Sequence, residues 1–286
     1  MIRWLPLVPL LDSNFPTGSF AHSFGMETAY AEGHLSGPGA VLRWLEDLLW
    51  GNLATFEGPA VRLAWQLRDG MSSATAHELS APRIQEAGEL VGTQEPVEIW
   101  PSSEQAKSGG APGESEETKD SVTAAGIVQT RLLEIDRHLT VSRLAAESRG
   151  ASIKMGRRYL RTVCELYPGS LLHVYEQWVK AGRAFGQMAV VHGWLCRELD
   201  YSEQEAVASF LYGSLNALTQ NATRLTAIGQ TNGQKILLRL LPQIEQSSSD
   251  TANHSTLNLD NLCIHTVNQE VQAMRHESLY SRIFMS

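Results

Sequence analysis

Apolar residues recur every three or four positions along most of this chain, and this spacing limits the folds open to it. Residues 41–56 place apolar side chains on one face and charged ones opposite, which is typical of an amphipathic helix. A second long run ends at Leu225 and follows Ser202, whose spacing to Glu205 is that of a capping box. No segment alternates polar and apolar residues between hairpin turns. The pattern therefore predicts an all-α fold, a single-domain multi-helix bundle.

Four consecutive parts of the chain differ in composition, although the helical parts are expected to form one domain. Residues 71–123 are rich in Ser, Gly, Pro, Glu and Thr. They are expected to be disordered, except at the two edges, which are expected to extend the neighbouring helices. The parts are an N-terminal helical part (1–70), a low-complexity insertion (71–123), a helical core (124–246), and a linker with a C-terminal tail (247–286).

The first eleven residues are apolar but are interrupted by Pro6 and Pro9 and lack a small-residue cleavage site. They are expected to form a packed, extended N-terminal arm rather than a signal peptide. No stretch approaches the roughly 20 uninterrupted apolar residues that a membrane span needs. The sequence therefore predicts no membrane association.

A formal net charge of -8 argues against the broad basic surface that nucleic acid or anionic lipid requires. The three cysteines are far apart and odd in number, unlike a secreted disulfide framework. We therefore expect a cytoplasmic protein that binds no nucleic acid.

The first motif, residues 15–27, combines helix-entry chemistry with polar residues that packing does not require. Ser19 can accept hydrogen bonds from the free N–H groups of a helix that follows, so a helix is predicted to start near it. In that helix Ala21, Gly25 and Ala29 form a small-residue stripe suited to close packing. Tight packing alone would account for the stripe, so a functional role of the motif stays open.

The segment from Gly229 to Lys235 has glycines before a lysine, as a phosphate-binding loop does. Three residues, rather than four, separate Gly229 from Gly233, and Gln234 intervenes before Lys235. A helix rather than a strand precedes the segment. The sequence therefore predicts no nucleotide hydrolysis here, only an amide-rich turn suited to hydrogen-bonding a partner.

No set of residues in the sequence has the spacing that is typical of a metal site or a catalytic site. Cys263 and His265 form a Cys-x-His pair without a second pair, and His22 stands alone. Two alternatives remain open: a metallochaperone that holds a transition metal with imidazole and thiolate ligands, and an all-α enzyme that uses Glu27 and His22 as acid and base. No nucleophile elbow is present, and no catalytic residue is predicted.

The tail from Ala273 to Ser286 mixes apolar residues with Arg, His and Glu. A terminal segment usually frays. This one carries apolar side chains that can be buried, so it is expected to order on a partner. These side chains are Leu279, Tyr280, Ile283 and Phe284.

Three motifs in this order resemble the UreF family of urease accessory proteins. They are residues 15–27, residues 228–234, and the ending made of Arg275–Glu277 with Ser281–Ser286; residues 151–157 also look like the mid-chain helix of that family. The resemblance implies an all-α, non-catalytic protein that forms a homodimer and bridges UreD (also called UreH) to the GTPase UreG. It further implies that this complex inserts nickel into apo-urease, that UreG hydrolyses GTP under the influence of UreF, and that nickel is handled by the complex without a tightly bound cofactor.

The resemblance also implies which residues contact partners. Glu27 would face a partner surface, the tail would dock on UreD, and Arg224 with the Gly229 segment would lie on the UreG-facing side. No metal ligand is assigned, and His22, Cys263 and His265 are the weaker candidates. The implied partner-binding residues are Pro16, Gly18, Ser23, Gly25, Glu27, Arg224, Gly229, Gln230, Thr231, Gly233, Gln234, Arg275, His276, Glu277, Arg282 and Phe284.

Overall fold

The computed structural model describes residues 5–80, 123–254 and 257–286. Within these ranges the backbone is helical and contains no β-strand, which confirms the predicted fold class. The α-helices of the described residues are α1 (Val8–Leu11), α2 (Met26–Ala31), α3 (Pro38–Leu48), α4 (Gly58–Asp69), α5 (Ser73–Ser80), α6 (Ala124–Val141), α7 (Ala146–Leu166), α8 (Leu172–Lys180), α9 (Met188–Glu198), α10 (Glu203–Thr226), α11 (Gln230–Asn253) and α12 (Val267–Arg275).

Helices α3 and α4 form one continuous rod, because a π-helical stretch, Leu49–Glu57, joins them. Pro59 was expected to open a separate helix. It lies in the first turn of α4, as predicted, but α4 continues the rod instead of following a break in the helix. The apolar face of the rod is buried along its length, with Val61 fully enclosed.

Helix α10 is the centre of the core and packs against α4, α9 and α11. Its capping box is present as predicted: the Ser202 hydroxyl accepts from the Glu205 N–H at 3.2 Å, and the Glu205 carboxylate accepts from the Ser202 N–H at 2.8 Å. Helices α4 and α9 approach so closely that a Cβ on Gly193 would collide with the carbonyl oxygen of Val61. Apolar packing therefore closes this part of the molecule.

A buried carboxylate ties the segment before α9 to α6. Asp136 accepts from the Tyr175 hydroxyl at 2.5 Å and from the N–H groups of Phe185, Gly186 and Gln187 at 2.5 to 3.0 Å. The negative charge is thus surrounded by donors, so its burial is compensated.

The N-terminal arm is packed as expected but is not extended. Leu5–Leu7 form a 3-10 turn that leads into α1, and Leu7 and Leu10 are buried. Helix α5 occupies the N-terminal end of the predicted insertion. Residues 81–122 of the insertion lie outside the described residues. The expected disorder of the insertion therefore stays a prediction.

The linker expected after residue 246 is also different, because α11 continues to Asn253. Arg62 holds the end of this helix: one nitrogen donates to the carbonyl oxygens of Thr251 and His254, each at 2.7 Å, and another pairs with Glu203 at 2.6 Å.

Among the helices of the described ranges, none combines the length and the apolar character that a membrane crossing requires.

Candidate partner-binding site

The first motif does not form the helix predicted from Ser19. A 3-10 turn spans Ser19–Ala21, His22 is extended, and Phe24 and Gly25 both have positive φ values, 51° and 87°. The α-helix begins only at Met26, so the predicted small-residue stripe is wrong. The interruption has a clear physical cause, which lies in the C-terminal part of the chain.

Gly25 lies directly on the backbone of α12. A Cβ at this position would be 2.7 Å from the nitrogen of Ala273 and 2.8 Å from the oxygen of Gln269. The positive φ also disfavours any L side chain. Close approach, the reason inferred from the sequence, is therefore confirmed for this glycine, although the surrounding backbone is not helical.

Residues 276–286 fold back onto residues 19–27, and we call this pair of segments the clasp. The main-chain oxygen of Ser286 accepts from the Ser23 N–H at 2.5 Å and from the Ser23 hydroxyl at 2.8 Å. The Met285 N–H donates to the oxygen of Ala21 at 2.8 Å, and the Nδ1 of His22 lies 2.9 Å from the Ser286 hydroxyl. The tail was expected to order on a partner, whereas the structure orders it on the chain itself.

Glu27 is the central anchor of the clasp. Its carboxylate is 4% exposed and accepts from the N–H groups of Ile283 at 2.5 Å and Phe284 at 3.0 Å. The Nε2 of His276 lies 3.0 Å from the same carboxylate. Glu27 is in the first turn of α2, where the helix dipole favours a negative charge. The residue predicted to face a partner therefore binds the tail of its own chain.

His276 bridges two carboxylates and is fully buried. Its Nδ1 lies 2.6 Å from Glu147, in the first turn of α7, while its Nε2 faces Glu27. Both ring nitrogens can donate at once only when the imidazole carries two protons. Arg282 donates to the other oxygen of Glu147 at 2.8 Å, so α2, α7 and the tail meet in one polar network.

Glu147 is a member of this network that sequence reasoning missed. It lies near the start of a helix whose spacing indicates only an ordinary solvent-facing acid, and no motif connects it to the tail. Arg275, which was predicted as a tail contact, pairs with Glu32 at 2.9 Å outside the network, and Glu277 is exposed.

Arg224 on α10 joins the clasp from the other side. It donates to the oxygen of Phe20 at 2.7 Å, and its guanidinium lies 5.3 Å from the centre of the Phe284 ring. Asn221, one turn earlier, donates to the oxygens of Ser19 and His22 at 3.0 and 2.8 Å. Helix α10 thus fixes the irregular backbone of the first motif.

The Gly229 segment is mostly helical rather than a loop. Gly229 precedes α11 with a φ of 79°, and Gln230, Thr231, Gly233 and Gln234 form the first turns of that helix. The predicted amide-rich turn is therefore wrong in its backbone conformation. The side chains of Gln230, Thr231 and Gln234 remain exposed, as a binding surface requires.

A surface depression brings the end of α10 and the start of α11 to the first motif. Its lining includes Ser19, Phe20, Arg224 and Gln230. Pro16 and Gly18 lie in the same motif, before the 3-10 turn. The three predicted motifs therefore share one face, although at least 200 residues of sequence separate the first motif from the other two.

The apolar side chains of the clasp divide into buried and exposed sets. Phe284 is buried, whereas Tyr280 is fully exposed and Phe20, Ile283 and Met285 are each about 60% exposed. Burial in the clasp is therefore incomplete, and four large apolar side chains reach the surface beside charged groups. Large apolar side chains that stay exposed on two adjoining segments are a feature of protein interaction sites.

The weaker metal candidates do not lie together. Burial, with a contribution from Lys154, lowers the pKa of His22 to about 4, which keeps the imidazole neutral inside the clasp. Cys263 and His265 are exposed on a segment that hydrogen-bonds to Thr55 and Gly51. In the described part of the chain, none of the three belongs to a group of three or more side chains placed to hold a metal.

Comparison with known proteins identifies relatives of this chain. A family model described as UreF matches residues 117–241, a range that includes α6 to α10 and ends within α11. A urease accessory protein UreF from Bacillus sp. (strain TB-90) is 29% identical over 286 residues, covering 100% of both chains. The UreF of Lachnoclostridium phytofermentans is 28% identical over 283 residues, covering 99% of this chain and 98% of its own. The UreF of Kocuria rhizophila is 28% identical over 284 residues, covering 99% and 96%.

Proposed function

We propose that this chain, which belongs to the UreF family of urease accessory proteins and not to a family of enzymes, is the scaffold that bridges UreD (UreH) and the GTPase UreG during nickel insertion into apo-urease. The observation that carries the proposal is the clasp. Its polar network fixes the tail against the first motif, and the same segments leave Phe20, Tyr280, Ile283 and Met285 at the surface. Exposed apolar side chains on a segment that is already folded against the chain suit a docking surface, because binding then orders little additional chain.

In this proposal the two partners use neighbouring faces. UreD binds the exposed side of the tail, and UreG binds the depression lined by Arg224 and Gln230. GTP hydrolysis belongs to UreG, since the Gly229 segment has neither the spacing nor the preceding strand of a phosphate-binding loop. The chain would modulate that hydrolysis by contact, would hold no cofactor tightly, and would act as a cytoplasmic homodimer.

The UreD contact is tested with exposed residues, because deleting the whole tail would also remove buried His276 and Phe284. The double variant Tyr280→Ser with Ile283→Ser is expected to weaken co-purification with the UreD homologue by about tenfold or more, since central apolar contacts dominate interfaces. Ile127→Ser, half exposed on α6, is the matched control and should leave the complex intact. An unchanged complex in the double variant would contradict the assignment.

The UreG contact is tested separately. Arg224→Glu should reduce both the co-purification of UreG and the effect of this chain on GTP hydrolysis by UreG, because it reverses a charge at the depression. Arg158→Glu, exposed on α7, makes the same charge change away from the depression and should have no effect. Equal losses in the two variants would show that net charge, rather than this surface, governs UreG binding.

The metallochaperone alternative has less support. The His22 imidazole is occupied by Ser286, and Cys263 with His265 supplies only two ligands. Tight nickel binding by the isolated chain that is lost in His265→Ala or His22→Ala would favour the alternative over the scaffold.

A further inference from the structure

The turn between α7 and α8 brings three metal-binding side chain types together, away from the clasp. Cys164 is in the last turn of α7, and His173 and Glu176 lie three residues apart on α8, so they share one face of that helix. The Sγ of Cys164, one ring nitrogen of His173 and one carboxylate oxygen of Glu176 all lie within 4.8 Å of one another. Ligand atoms bound to one zinc ion lie about 3.5 Å apart, so these side chains need only small movements to meet at one ion.

Two of the three groups make no hydrogen bond, and the third forms an ion pair. The Cys164 thiol is buried, and neither its sulfur nor the His173 ring makes a hydrogen bond within the described residues. Burial, assisted by the charge of Glu176, raises the pKa of the Cys164 thiol to about 12, so without a metal it stays protonated. Glu176 pairs with Lys180 at 2.9 Å; the Lys180 side chain is 67% exposed, so its ammonium group can move into solvent.

We propose that Cys164, His173 and Glu176 bind one borderline divalent cation of the Zn²⁺ type. Sulfur, nitrogen and a single carboxylate suit Zn²⁺ and disfavour Mg²⁺ and Ca²⁺, which prefer oxygen ligands. The side chains of His173 and Glu176 are partly exposed, so solvent can supply a fourth ligand. On binding, the thiol proton leaves to solvent and the thiolate forms the bond to the metal. The site shares no residue with the proposed partner surfaces and does not depend on them.

The bound metal would join α7 to α8 across the turn at Pro168 and Gly169. Lys180 pairs with Glu176 at 2.9 Å, so its ammonium group lies beside the site and opposes a bound cation. This dependence on Lys180 distinguishes the site from adventitious binding at surface histidines.

Metal titration of the full chain, stripped of metal and kept reduced, tests the proposal. Calorimetry with Zn²⁺ should show one ion per chain, and Co²⁺ should give a thiolate-to-metal charge-transfer band. His173→Ala and Glu176→Gln should each weaken binding by about tenfold or more, since even outer partners of metal sites contribute that much. Lys180→Ala should tighten binding, and Cys263→Ser, which removes the exposed thiol, should leave it unchanged.

Three results would overturn the proposal: no stoichiometric binding, binding that is unaffected by both His173→Ala and Glu176→Gln, or a charge-transfer band that is lost in Cys263→Ser. Cys164→Ser gives the most direct loss of the band. Because Cys164 is buried, its variant is accompanied by a check of helicity. The variants of the two partly exposed ligands, His173 and Glu176, keep the test decisive if the Cys164 variant does not fold.

Discussion

The helical core around α10 and the clasp are held together by different forces. The core is closed by apolar side chains from α4, α9, α10 and α11, many of them fully buried. The clasp is closed by a few hydrogen bonds and ion pairs that converge on Glu27 and His276, with large apolar groups left outside. The difference indicates that the free energy of unfolding of the whole chain depends mainly on packing in the core, whereas the clasp determines the shape of one surface.

Gly193→Ala should have the largest effect, because the new Cβ would collide with the Val61 carbonyl where α4 and α9 meet. Relief of that collision requires two packed helices to separate, and we expect a loss of about 3 kcal/mol or more in the free energy of unfolding. Urea denaturation measures the loss.

Gly150→Ala is the matched control, because a Cβ there meets no atom within 4 Å. That variant should be neutral or stabilised by up to about 1 kcal/mol. Equal stabilities of the two variants would show that the α4–α9 contact is looser than the structure has it.

Acid should weaken the core through His192, which is enclosed by Tyr159 and Ser209. Burial lowers the pKa of His192 to about 4, whereas an unfolded histidine titrates near 6.5. Between these values the unfolded state binds more protons, so stability is full above about pH 6.5 and falls as the pH falls toward 4.

The expected loss from His192 is about 2 kcal/mol at pH 5 relative to pH 7. Urea denaturation at both values, compared with His192→Gln, isolates this contribution, and the variant should show a smaller pH dependence. The same pH dependence in both proteins would assign it to other groups. His22, whose pKa is also lowered to about 4, should extend acid sensitivity to the clasp.

Glu27→Ala should open the clasp while leaving the core folded. It removes the acceptor of the Ile283 and Phe284 N–H groups and one partner of His276, at a cost of roughly 1–2 kcal/mol to the closed tail. Amide hydrogen exchange of residues 279–286 should therefore speed up. Glu277→Gln, which changes an exposed acid of the same segment, should not alter exchange. Faster exchange across the core in Glu27→Ala would show that the two regions are not separate.

Arg224→Ala should have the smallest effect. It loses one hydrogen bond to Phe20 and a cation–π contact with Phe284, both partly exposed, which together contribute about 0.5–1 kcal/mol. Exchange near Phe284 should rise slightly. Arg239→Ala, exposed on α11, is the control, and a larger effect there would contradict the role of Arg224.

Features that depend on neighbours in sequence were predictable. The capping box at Ser202 and Glu205 is present as its spacing indicates, because the bonds join residues three positions apart. The helix that stops before Pro168 is predictable for the same reason. The family motifs near the two ends of the chain could also be recognised from the sequence. The contact between these two motifs could not.

Features that depend on distant neighbours were not predictable. The helix expected at Ser19 fails because the α12 backbone lies against Gly25 and because Ser286 takes up the N–H groups of Ser23 and Phe24. The expected linker after residue 246 is helical because Arg62, far away in sequence, binds its last carbonyl oxygens. Polar composition by itself could not reveal that partner.

The sequence by itself determined the helical architecture of this protein, because apolar residues spaced three to four positions apart lie on one face only in a helix. Its three motifs, in order, also determined the family resemblance. Only the tertiary structure decided that Glu27, Glu147 and His276 form one network and that Cys164 faces His173 and Glu176. The physical reason is that long-range polar contacts depend on how the helices pack, and that packing is specified by no local pattern.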